Sequence, residues 1–156
     1  MTSWARGREE ILGMLQRREL TQVVADAELA ERMLATARQH LVSAETLADT
    51  DPYLAYAALH DAVRKALAAL LQVQGLRATT TGGHLAVQHA ARAQFGASLG
   101  AILRPIDRIR TTRHESEYPT PTTWIDEESV RDDLPAAAAV VDATGKVLSH
   151  LSPFIP

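Results

Sequence analysis

The stretch Arg113-His114-Glu115-Ser116-Glu117-Tyr118 puts a permanent cation, an imidazole, two carboxylates and a phenol within six residues, directly before Pro119. Such a set can grip a phosphate and move a proton. Guanidinium offers a planar donor fork that keeps its charge, and imidazole titrates near neutrality. The spacing adds a second indication. On a helix, Ile106, Ile109, Arg110, Arg113 and Glu117 fall on one face about 100° wide, so a stripe that begins apolar becomes charged without changing direction. Charge on a core-facing stripe is tolerated only when it is paired, hydrogen-bonded, or lines a cavity or interface. Arg110, Arg113 and Glu117 are therefore expected at a substrate-binding cleft. The alternative is simple surface pairing, Arg113 with Glu117 and Arg110 with Asp107 or His114, worth a few tenths of a kcal/mol per pair.

Two other places carry charge where it is unexpected. His84 opens a helix just after Gly82-Gly83, where free backbone N–H groups favour an anion; an ordinary capping or surface histidine is the alternative. Asp61 and Arg64 stand on an otherwise apolar helix. Asp61 is expected to form a half-buried ion pair with an Arg from a neighbouring helix, a structural polar network rather than a catalytic group. The adjacent carboxylates Glu9/Glu10, Glu127/Glu128 and Asp132/Asp133 each point two ways and are expected on solvated faces and caps. Six histidines are scattered over five segments without the i,i+4 spacing of a zinc helix, so no metal is expected. No glycine-rich phosphate loop follows a strand, and no cofactor is expected.

The elements that must position these groups are helical. A short amphipathic helix is expected over Gly7–Arg18, and a longer one from about Gln22 to Asp49. In the latter Val23, Ala27, Ala30, Leu34, Ala37, Leu41, Ala44 and Leu47 step by threes and fours. Asp51-Pro52 caps and opens a very apolar helix from Tyr53 to about Gln74, expected at the centre of the molecule. Residues 78–83 read as a loop. A short helix from His84 to Phe95 is expected to stop at Gly96, with Ser98 capping the next, which Pro105 kinks or restarts. After the connector 119–123, Asp126-Glu127-Glu128 opens the last helical region, where Pro135 allows either a kinked helix or a new start at Asp133. Leu134, Ala138, Val141, Val147, Leu148 and Leu151 are expected to complete the core. The fold class is all-α, an up-and-down antiparallel bundle of four to five main helices plus a short N-terminal helix. One domain is expected over 1–156, with a helical extension at 1–20 and the bundle at 21–151.

Composition narrows the function classes. Cysteine is absent, which removes disulfides, thiolate metal sites and a Cys nucleophile. A formal charge of −3 argues against a wholly basic nucleic-acid-binding surface and leaves room for a local patch. Of 16 basic residues 14 are Arg, so their placement carries more information than their number. The N-terminal Met-Thr-Ser-Trp-Ala-Arg lacks the pattern of a signal peptide, and no apolar run suggests a membrane span; a cytoplasmic location is expected.

With Arg113-His114 at the end of the fourth bundle helix, the chain resembles the HEPN family (higher eukaryotes and prokaryotes nucleotide-binding domains), over roughly Val23 to His150. The resemblance rests on the apolar helix Asp51 to Leu76, the loop Gly83-His84-Leu85, and the signature Arg followed by a polar residue. The ending Arg-His-Glu-Ser-Glu-Tyr-Pro looks like an actinobacterial-type subgroup, in which Tyr118 takes the place of the family's final catalytic His. The resemblance implies a bacterial homodimer whose two Arg113 segments face each other across a cleft, forming a metal-independent endoribonuclease of toxin-antitoxin or stress-response type. With Tyr118 in the last place, His114 or His84 would have to act as base. Otherwise the bundle would be a degenerate nucleotide sensor or protein-interaction module. The family also implies a nucleotidyltransferase-type antitoxin partner that adenylylates a tyrosine near the motif; Tyr118 is the candidate acceptor, although it lies off the usual position.

Overall fold

The computed structural model describes residues 6–156, and the first five residues of the expected extension 1–20 lie outside the described residues. The elements run α1 (Arg8–Gln16), β1 (Leu20–Gln22), α2 (Ala27–Leu47), α3 (Pro52–Val73), β2 (Leu76–Ala78), α4 (Gly83–Leu103), α5 (Ile106–Glu117) and α6 (Glu127–Leu148). This is the all-α bundle expected, with one very small antiparallel sheet added. No helix among the described residues is long and apolar enough to cross a membrane.

The most apolar helix occupies the centre. Asp51 accepts a hydrogen bond from the Leu54 amide, Pro52 takes the first turn, and α3 then buries Tyr56, Leu59, Val63, Leu67, Leu70 and Leu71. It packs against α2 and α6 on two sides and against α4 and α5 on the others. The alanines along it let those neighbours approach: Ala55, Ala62, Ala66 and Ala69 are fully buried.

Several boundaries differ from the sequence expectation, each for a local reason. Helix α2 begins at Ala27, not Gln22, because Asp26 caps it through the Leu29 amide and the residues before it pair as a strand. Leu20, Thr21 and Gln22 lie opposite Ala78, Arg77 and Leu76, and the pairing continues with the Val23 amide on the Gly75 carbonyl at 2.9 Å. Three-residue strands are too short to leave an alternating pattern. Helix α4 passes through Gly96, whose backbone stays helical, and breaks instead at Leu99 (φ −118°, ψ 17°). Pro135 sits inside one helix, α6, where it removes a backbone bond and crowds the preceding turn, and no new helix starts at Asp133. Ala138 is exposed and Leu134 half-buried, whereas Asp133, expected on a solvated face, is buried, where it accepts a 2.6 Å bond from the Tyr56 hydroxyl and pairs with Arg108. Burial and the Asp133 bond push the Tyr56 phenol well above its ordinary value, so it stays a donor.

The sheet matters because it fixes the loop that delivers His84. The Thr79 amide donates to the Glu19 carbonyl at 3.0 Å, the Gly83 amide to the Thr79 carbonyl at 2.9 Å, and the Gly82 amide to the Thr79 hydroxyl at 3.2 Å. A Cβ on Gly82 would stand 2.4 Å from the Glu19 carbonyl oxygen, so only glycine fits this approach. The loop is anchored to the strand layer.

Candidate functional site

Helix α5 docks through two side chains, Ile106 and Ile109, the only buried residues on it. One turn beyond Ile106, on the same face, Arg110 is half-buried; Arg113 follows, with its side chain 24% exposed. The stripe does turn from apolar to charged, and it does so over a cleft. Helix α3 supplies His60, Asp61 and Arg64 to that cleft, the start of α4 supplies His84, and α2 supplies His40. The cleft has a volume of about 460 Å³. A separate small pocket of about 20 Å³ shares His60, Arg64 and His84 with it and adds Arg110 and Gln88 above an apolar lining.

Two guanidiniums, Arg64 and Arg113, and two carboxylates, Asp61 and Glu117, line the cleft. Arg113 donates to Glu117 at 2.6 Å and to the Ser116 hydroxyl at 3.2 Å, so the expected i,i+4 pair forms while the guanidinium still lines the cleft. Asp61 holds a denser network, and here the expectation of a partner Arg from another helix is corrected. Its guanidinium partner is Arg64, three residues on along the same helix, with Nε at 3.0 Å from Oδ1. The neighbouring helix contributes His40 instead, with Nε2 3.1 Å from Oδ2, and Lys65 stands at 3.5 Å. Burial opposes charge on Asp61, but the Arg64 hydrogen bond and the surrounding cations outweigh it and hold the carboxyl below its usual value. Arg110 has no such partner among the described residues. Asp107, its expected neighbour, is taken by Arg92 at 2.9 Å and by Gln88, and Arg110 Nε is a buried nitrogen with no hydrogen-bond acceptor among them. A buried guanidinium nitrogen left in this state gains strongly from an incoming anion.

Two histidines meet in the cleft. The His60 and His84 rings stand edge to face with centroids 6.4 Å apart. Burial, then the neighbouring Arg113, His84 and Arg64, push the His60 imidazole down to about 4, against an opposing pull from Asp61. His60 is therefore neutral at pH 7. The depressed value also has a stability consequence. Because the unfolded imidazole titrates near 6.5 and the folded one near 4, its contribution is complete above pH 6.5 and is lost as pH falls towards 4. After allowance for partial exposure this is on the order of 2 kcal/mol. Urea midpoints measured at pH 7 and pH 4.5 should diverge more for the wild type than for His60→Gln; equal slopes would contradict the assignment.

The sequence-selected residues thus divide. Arg113, Glu117, His84, Asp61 and Arg64 come together at the cleft and Arg110 at the small pocket beside it. His114 and Tyr118 do not line it: both are exposed, Tyr118 by 67%, and their rings lean on each other at 5.0 Å. His60 and His40 were not singled out from the sequence. The available signal for His60 was its place on the otherwise apolar α3, beside Asp61 and four residues before Arg64. Among the described residues no three His, Asp or Glu side chains gather as a metal-ligating group. No family model, curated protein or solved structure matches the chain.

Proposed function

We propose that this chain is a cytoplasmic, HEPN-like protein that binds the phosphate of RNA or of a nucleotide in the cleft between α3, α4 and α5, and that works as a dimer with its α5 segments facing. The observation that carries the reading is the convergence of Arg64 and Arg113 with His60 and His84 on one cleft, beside a small pocket holding Arg110, whose Nε lacks an acceptor among the described residues. Permanent guanidinium charge in a recessed, partly desolvated place suits phosphate better than any neutral ligand.

In its enzymatic form this site cleaves RNA without metal, as a toxin or stress-response endoribonuclease would. The 2′-hydroxyl oxygen attacks the adjacent phosphorus, the bond from phosphorus to the 5′-oxygen breaks, and a 2′,3′-cyclic phosphate results. His60 takes the hydroxyl proton, His84 returns one to the leaving oxygen, and Arg113 stabilises charge gathering on the phosphate. Exposed Tyr118 is open to adenylylation by a nucleotidyltransferase partner. Purified protein is expected to cut RNA in the presence of EDTA and to leave cyclic phosphate ends; RNA that stays intact at levels where a positive control cuts would sink the enzymatic form.

One observation favours a second reading, a non-catalytic nucleotide sensor or interaction module. His114 and Tyr118, which occupy the signature positions after Arg113, lean on each other at a tilt outside the cleft. Saturable RNA binding that Arg113→Ala abolishes, in a protein that never cuts, would select it.

A further inference from the structure

Arg64 and His84 face two cavities at once. On one side lies the phosphate cleft, and on the other a second cavity of about 450 Å³ between α2, the end of α3, β2 and the start of α4. Its floor is apolar, formed by Met33, Ala68, Leu71 and Val87. Its rim is polar, with Thr80 on the loop and Arg77 on β2, which makes no ion pair among the described residues. The size lies within the range of pockets that enclose small organic ligands, and apolar lining with a few polar groups is what such ligands need. The hydrogen bonds of Thr79 to residues 18 and 19 hold the rim loop in place, so the cavity is formed in advance.

We propose that this second cavity receives the base and sugar of a nucleotide whose phosphate lies in the neighbouring cleft, the ligand crossing between them at Arg64 and His84. The inference rests on the phosphate-binding reading above and adds a subsite to it. The flat face of a nucleobase suits a floor of aliphatic side chains, while ring nitrogens and sugar hydroxyls can meet Thr80 and the Arg77 guanidinium. Arg64 is already oriented by Asp61, so its remaining donors are preset for the phosphate at the junction.

The test is calorimetric titration of the full chain with inorganic phosphate, with each of the four ribonucleoside monophosphates, and with the free nucleosides. At least one monophosphate should bind tenfold or more tightly than inorganic phosphate. Thr80→Trp, on the exposed rim, should remove that advantage and leave inorganic phosphate binding unchanged; Ala68→Leu, which raises the floor, should do the same. Equal affinity of inorganic phosphate and every monophosphate would overturn the subsite while leaving the phosphate cleft standing. So would an advantage that survives both substitutions. Failure of phosphate and nucleotides alike to bind would instead overturn the phosphate-binding reading, and the subsite with it.

Discussion

Arg113→Ala is expected to weaken binding of inorganic phosphate and of short RNA by 10- to 100-fold while barely changing the stability of the protein. The two expectations come from different terms. A charge-assisted contact to phosphate in a recessed site is worth about 1.5–3 kcal/mol, and each 1.4 kcal/mol is a factor of ten. Within the chain Arg113 makes an i,i+4 pair with Glu117, whose carboxylate is half in solvent, and a bond to the Ser116 hydroxyl one turn on; such a helix pair contributes only about 0.3–0.5 kcal/mol. Were Arg113 merely a staple between turns of α5, the variant would lose that small stability and keep its ligand. Arg113→Lys separates charge from geometry: it retains the cation and loses the fork, so it should fall between wild type and Ala. Glu117→Gln should move binding the other way, because it releases Arg113 from a competing carboxylate.

The largest expected effect on folding comes from Ile109→Ala, a loss of about 2–5 kcal/mol with the urea m value unchanged. Ile109 is fully buried, and with Ile106 it is all that α5 places in the core, so the rest of that helix cannot compensate. The same helix carries Arg110 and Arg113, so ligand binding should weaken as docking fails. Ile109→Val, which removes one methylene, should cost about 0.5–1.5 kcal/mol and serve as the graded control. A near-neutral Ile109→Ala would mean that α5 is held by something other than this pair of side chains.

The charged stripe of α5 was legible because helical phase is a local property: Ile106 and Ile109 announce the buried face, and Arg110 and Arg113 continue it. Helix α3 was legible for the same reason, its cap and first-turn proline marking the start and its apolar run the burial. What escaped was set by partners distant in the chain. The three-residue strands exist because residues 20–22 meet 76–78, and no pattern within either segment requires that. Asp133 looked like one of two solvated carboxylates until Tyr56, 77 residues away, supplied a donor. His60 gains its meaning from His84 and Arg113, which belong to other helices. His114 and Tyr118 show the converse case: adjacency in sequence to Arg113 places them near it along the chain and yet outside its cleft.

The proposed phosphate site lies among Arg64, Arg113, His60 and His84, with Arg110 beside them. The most direct measurement is an NMR titration of the histidine ring signals with inorganic phosphate at constant pH and ionic strength. Binding in the cleft brings an anion against the groups that hold His60 neutral, so the His60 and His84 signals should move saturably and the His60 titration should shift upward, while His114 stays still. Unchanged His60 and His84 signals at saturating phosphate, or movement confined to His114, would contradict it.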